Sequence, residues 1–211
     1  MSGSRGFFYD PCNSGDKLSR EYTLLTGATP TVYLDGSRLC YRWVATGVLS
    51  NNILLTSFKP SGEYELTYMC KKNFAAAPLA LTENYIDYRA ATEWYRIGLY
   101  GEVYLTHQTP TGVPYNRYNA IAFTNNIWYK MKIRVGVRAI MMKVWQEGLA
   151  EPDWWINFKT STVIAYGIEP RITIRRPFSS GIALGFYSVT VGDTMEISDI
   201  RITPIRKVGG P

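Results

Sequence analysis

Paired carboxylates, histidines and cysteines are the side chains that most often do chemistry, and here they are sparse. Carboxylates come close together at Glu63 and Glu65, at Glu83 and Asp87, and at Glu196 and Asp199. Only Glu63 and Glu65 share a strand face, because side chains alternate with a period of two. Two carboxyls about 5–5.5 Å apart suit a retaining glycosidase, so this pair is the candidate for a hydrolytic centre. Both stand beside Gly62 at a strand start, where solvated acids are common. The single histidine, His107, lies in Thr106-His107-Gln108 and reads as a strand-end surface residue. Nucleophile-elbow, phosphate-loop and zinc-protease motifs are absent. The three cysteines, Cys12, Cys40 and Cys70, have neither zinc nor disulfide spacing and fit a reducing compartment. The expectation is a protein with no catalysis and no cofactor.

Binding chemistry is better represented. A net charge of +6 and a pI near 9.2 favour an acidic neighbour. The excess is clustered at Lys130, Lys132, Arg134, Arg138 and Lys143, at Arg171, Arg175 and Arg176, and at Arg201, Arg206 and Lys207. No nucleic-acid motif accompanies these clusters. Lys130, Lys132, Arg134, Lys143, Arg175 and Arg176 are therefore candidates for docking on an acidic protein surface or an acidic glycan, with solvated strand faces as the plain alternative. Among the aromatics, Trp94, Tyr115, Tyr118 and Trp155 are candidates for stacking on a glycan. Tyr115 and Tyr118, with Pro114, Asn116, Arg117 and Asn119, read as a polar loop of the kind found at binding rims. Asp10, Asn13 and Asp16 are weak calcium candidates: calcium takes six to eight oxygens, and Asx-type turn capping explains the same residues, so no metal is expected.

These residues need a scaffold, and the pattern that supplies it is almost wholly β. Charged residues are only 19% and apolar ones 46%, which excludes disorder. Short alternating or apolar runs are separated by Gly, Pro, Asn and Asp. The pattern predicts strands near 22–25, 31–34, 38–45, 52–58, 63–71, 94–100, 102–107, 118–123, 128–135, 138–145, 155–160, 171–176, 181–188 and 195–205. The one helix-like stretch, 75–91, is interrupted by Pro78. So many strands at short spacing predict an all-β protein, a single antiparallel β-sandwich. Residues 1–211 read as one domain with short tails at about 1–6 and 208–211. No apolar run reaches the roughly 18 residues of a membrane span, so no membrane partner is expected. The first ten residues hold no apolar stretch of signal-peptide length.

One hairpin can be built in detail. Trp128 to Val135 and Arg138 to Trp145 both alternate, and Gly136-Val137 suits a two-residue turn with Gly first. That turn sets Ile133 against Ile140, Met131 against Met142 and Tyr129 against Val144 on an apolar face. The opposite face sets Lys130 against Lys143 and Trp128 against Trp145. Gly148 then fits a turn, Glu151 can pair with Lys143, and Trp145 with Trp154 would anchor the next loop.

The string running from Trp128-Tyr129 through Lys143, Trp145, Gly148 and Glu151-Pro152 to Trp154 resembles the concanavalin A-like lectin/glucanase superfamily, in its laminin-G-like jelly-roll branch. Gly181 to Phe186 is similar to that branch's glycine-rich penultimate strand. Ile197 to Ile202 is similar to its last strand, which pairs near the first. The likeness covers 128–205 and is faint over 1–127. The glucanases' E-x-D-x-x-E string is missing. Many proteins with such a string are bacteriophage virion components. The resemblance therefore implies a non-catalytic structural or accessory virion subunit, on the capsid or the tail. It would be held in a multimeric assembly by other virion proteins, and its location would be the virion. Its alternative is a carbohydrate-binding module or adhesin, with a glycoside hydrolase third.

Overall fold

The computed structural model describes residues 7–47, 51–58, 63–74, 83–90, 93–99, 102–108, 115–120, 124–135, 139–152, 156–159, 182–187 and 190–205; for the strands between 83 and 120 and for 139–142 and 156–159 it gives the course of the backbone. Fifteen strands and one short helix are found among these residues. The predicted strand at 171–176, both tails, Gly136-Val137 and Trp154 lie outside them.

Two antiparallel sheets form. The first runs β13 (Ile156–Lys159), β12 (Ala139–Gln146), β11 (Tyr129–Val135), β6 (Tyr64–Asn73), β15 (Thr194–Pro204), β4 (Arg38–Val44), β3 (Thr31–Asp35), with β1 (Phe8–Asp10) also on β15. The second runs β10 (Tyr115–Ala120), β9 (Glu102–Gln108), β8 (Glu93–Leu99), β7 (Glu83–Ala90), β14 (Ile182–Tyr187), β5 (Asn51–Leu55), β2 (Tyr22–Thr26). Alternation in β4, β6, β11 and β15 turns Tyr41, Trp43, Leu66, Tyr68, Met131, Ile133, Ile197 and Ile202 to one side. There they meet Tyr22, Ile53, Leu55, Ile182 and Leu184 of the second sheet in a single buried cluster. Met131 and Ile133 are both 0% exposed, so the β11 half of the predicted apolar face lies in the sandwich core. The first strand does pair with the last, Phe8 opposite Ile202.

Three expectations change. Residues 83–90 are a strand between β14 and β8, not the end of a helix; Tyr85, Ile86 and Tyr88 are aromatic and β-branched residues that favour strands. The helix is instead α1, Gly15–Glu21, capped by Ser14, whose hydroxyl accepts from the Lys17 amide at 3.3 Å. It is two turns long and buries only Leu18, too brief for a periodic signal. Third, the β11–β12 ribbon is shifted by two residues. Ile133 faces Met142, Met131 faces Val144, Lys132 faces Lys143 and Lys130 faces Trp145. A shift of two leaves every side chain on its own face, so the apolar pattern alone could not separate the two registers.

The side of β15 is divided. Its first half, Thr194–Ile197, pairs with β4, and its second half, Ile200–Ile202, pairs with β1. Between them the register against β6 shifts, and Asp199 takes a left-handed φ of 51°. This bulge lets β4 and β1 part, and a notch opens between them.

Candidate functional site

The notch is a cleft of about 630 Å³ on the first sheet. Three pieces of chain build it. The β3–β4 hairpin turns through Asp35-Gly36-Ser37-Arg38, with Asp35 paired to Arg38 and Gly36 at φ 59°. A positive φ at the first central residue is what a primed two-residue hairpin turn requires. The bulge supplies Ser198 and Asp199, and the chain leaving β1 supplies Pro11 and Asn13. The far wall is Trp128 with Glu147, whose amide donates to the Trp128 carbonyl at 2.9 Å.

The shifted register explains this wall. Trp128 lies opposite Glu147, not Trp145. Glu147 takes both terminal nitrogens of Arg38 and so holds its guanidinium 4.7 Å from the Trp128 ring centre. The indole Nε1 donates to Asp35 Oδ2 at 2.7 Å. Beneath, Lys71 bridges Asp35 and Glu196, 2.7 Å from each, with its ammonium 5.3 Å from the same ring. Glu196 is 1% exposed and also holds Arg42, whose guanidinium covers Tyr33 at 3.2 Å. The row Lys71, Glu196, Arg42 thus crosses three neighbouring strands, β6, β15 and β4, on the outer face, each charge against its opposite, with Trp128 at its end just before β11.

These pairings set protonation. The hydrogen bond from Lys71 holds Asp35 below the ordinary carboxylate range against its partial burial. The Arg38 guanidinium does the same for Glu147. Both carboxylates are therefore ionised near neutral pH. A glycosidase acid needs the reverse, a carboxyl whose proton is held into the neutral range.

The predicted docking cations lie further along the same face. Lys132 and Lys143 both hold Glu151 Oε1, at 2.7 and 2.6 Å, which relieves their mutual repulsion. Hydrogen bonding to the two ammonium groups lowers the Glu151 pKa to about 2. The expected Glu151–Lys143 pair is thus present, and Gly148 turns the chain at φ 87°. Arg134 donates to Glu65 at 2.7 Å, and Lys130 is exposed with its ammonium 5.8 Å from Trp145. Arg175 and Arg176 lie outside the described residues. Glu65, one half of the predicted hydrolytic pair, is therefore committed to cations. The predicted glycan-stacking residues fall on the second sheet: Trp94 in β8, and Tyr115 and Tyr118 in β10, where Tyr115 pairs with His107. The stretch around Tyr115 and Tyr118 is a strand, not a loop. Trp155 lies outside the described residues.

The calcium candidates are dispersed. Asp10 is 0% exposed; its Oδ1 accepts from the Cys12 amide at 2.8 Å and its Oδ2 from the Tyr41 hydroxyl at 3.0 Å. Lys17 adds a cation 3.8 Å away. Asp16 stands in the first turn of α1, and Asn13 lines the cleft. Among the described residues no three His, Cys, Asp or Glu gather as a metal site.

No protein-family model and no curated protein matches the chain. Solved structures do. Carbohydrate-binding module CBM66 from Bacillus subtilis superposes with a TM-score of 0.55 at 10% identity, over 87% of this chain and 95% of that one. The binding domain of Paraclostridial Mosquitocidal Protein 1 gives 0.56 at 10%, over 87% and 45%. The botulinum neurotoxin serotype C1 binding domain gives 0.55 at 12%, over 88% and 44%. The chain spans nearly all of the first and a little under half the length of the other two. At such identities the likeness speaks for the fold alone, a β-sandwich shared with binding domains.

Proposed function

We propose that this chain is a non-catalytic carbohydrate-binding domain, with the cleft between the β3–β4 hairpin, the Asp199 bulge and the Trp128–Glu147 wall as its sugar site. The observation that carries the reading is the composition of that cleft. The Trp128 indole, Pro11 and Leu39 give it apolar surface, while Asp35, Glu147, Asp199, Asn13 and Ser37 present acceptors and donors around it. Sugar sites need this combination: a concave surface with a few oriented polar groups. Ion pairs with Lys71, Arg38 and Arg201 hold the three carboxylates, Asp35, Glu147 and Asp199, before any ligand arrives, which limits the entropy lost on binding. The resemblance to a named carbohydrate-binding module in fold supports the same reading. The virion role implied by the sequence string rests on that string alone.

The test is a glycan array followed by calorimetry. Wild-type protein binds at least one glycan at millimolar concentration or better. The double variant Arg38→Ala/Glu147→Ala removes a solvent-accessible pair together, so no charge is left unpartnered. It loses about tenfold or more in affinity, while its unfolding midpoint moves little. Wild-type silence across the array, or unchanged affinity in the variant, overturns the proposal.

A further inference from the structure

Beside the cleft stand two aromatics that no part of the sugar site has yet used. Phe7 is 57% and Tyr9 36% exposed on the outer side of β1. Their rings stack with centres 6.3 Å apart and planes 27° apart. Arg201 lies over the Tyr9 ring at 4.6 Å. The Tyr9 hydroxyl donates to Asp199 Oδ1 at 3.0 Å, so the shelf is tied to a residue that lines the cleft. An exposed aromatic at this position is held by a paired strand, Tyr9 opposite Arg201, and not by a loop.

Charge narrows what can occupy the cleft. Three carboxylates line the cleft, Asp35, Glu147 and Asp199, against one guanidinium, Arg38. That guanidinium already has both terminal nitrogens on Glu147. An acidic sugar entering the cleft meets like charge and finds no uncommitted lining cation, although the chain as a whole is +6. Hydroxyl groups, by contrast, can donate to every one of these carboxylates.

Resting on the carbohydrate reading above, we infer that the ligand is a neutral oligosaccharide of at least two units. One sugar sits in the cleft among Asp35, Asn13 and Asp199, and its neighbour lies on the Phe7–Tyr9 shelf. Phe7 offers an apolar ring face to the second sugar, and the Tyr9–Asp199 hydrogen bond sets the spacing between the two.

The probes are gluco-, galacto- and manno-oligosaccharides from mono- to pentasaccharide, with oligogalacturonate and sialyllactose as acidic counterparts. For wild type, affinity for the neutral series rises from mono- to disaccharide by between about twofold and tenfold, the range of an aromatic contact. Phe7→Ala brings that ratio toward one; Phe7 is largely exposed, so the fold tolerates the change. Tighter binding of the acidic sugars, or an unaltered ratio in Phe7→Ala, overturns this inference and leaves the sugar site standing. Silence of every glycan removes the sugar site itself.

Discussion

Asp10 and Asp35 sit within one sheet system and are both held by hydrogen-bond donors, yet they serve different ends. Asp10 is fully enclosed, and its oxygens are matched by the Cys12 amide and the Tyr41 hydroxyl. Asp35 is half-buried, and its partners, Lys71 and the Trp128 indole, lie to one side and leave the other open to the cleft. The same chemistry becomes structure when every donor is internal, and becomes a site when the bulge at Asp199 leaves a notch beside it. Burial of a carboxylate is therefore no sign of function. The opening next to it is.

The contrast can be broken from its closed side first. Asp10→Ala strips the acceptor from a buried amide and a buried hydroxyl; about 3 kcal/mol of stability is lost, read as a lower urea midpoint. Glycan affinity per folded molecule changes little. Glu196→Ala comes next. It leaves Lys71 and Arg42 with one partner fewer in a buried place and costs about 2–3 kcal/mol. Because Lys71 also supports Asp35 beneath Trp128, this variant weakens glycan binding as well, which Asp10→Ala does not.

On the open side the order reverses. Arg38→Ala costs under about 1 kcal/mol of stability, as exposed pairs do, but weakens binding by about tenfold, measured by calorimetry. The smallest expected effect belongs to Glu151. Its pKa lies at about 2 in the folded chain against an ordinary 4.5. The stability it contributes is complete above pH 4.5 and is lost as pH falls toward 2. With its side chain 40% exposed the contribution stays below about 1 kcal/mol. Glu151→Gln flattens the acid limb of a stability-against-pH curve by that amount, and high salt flattens the wild-type limb similarly.

Much of the scaffold was legible because it follows from alternation. Strands β6, β11 and β15 lie where polar and apolar residues alternate, β14 is a short continuous apolar run, and the Met131–Ile133 face is core as its pattern demands. The pairing of first and last strands was legible only through resemblance. The cleft was not. It depends on Asp199 adopting a positive φ and on a two-residue shift in the β11–β12 ribbon, and neither alters the apolar pattern. Asp35-Gly36 carried a hairpin signal in plain view, but nothing in the spacing tied it to Trp128, 93 residues away. The partners of the basic cluster were hidden for a related reason. Composition counts Lys132, Arg134 and Lys143 as an excess, while the fold sets Glu151 and Glu65 against them.

The central claim is that sugar enters the notch beside Trp128. Nitrogen-15 spectra of the indole groups test it directly, since the chain has six tryptophans and each gives one signal. On titration with a neutral oligosaccharide that binds, the Trp128 Nε1–H signal, assigned by Trp128→Phe, moves more than the other five as the Asp35 hydrogen bond responds. Saturable binding that leaves the Trp128 signal in place while another indole shifts would contradict the account.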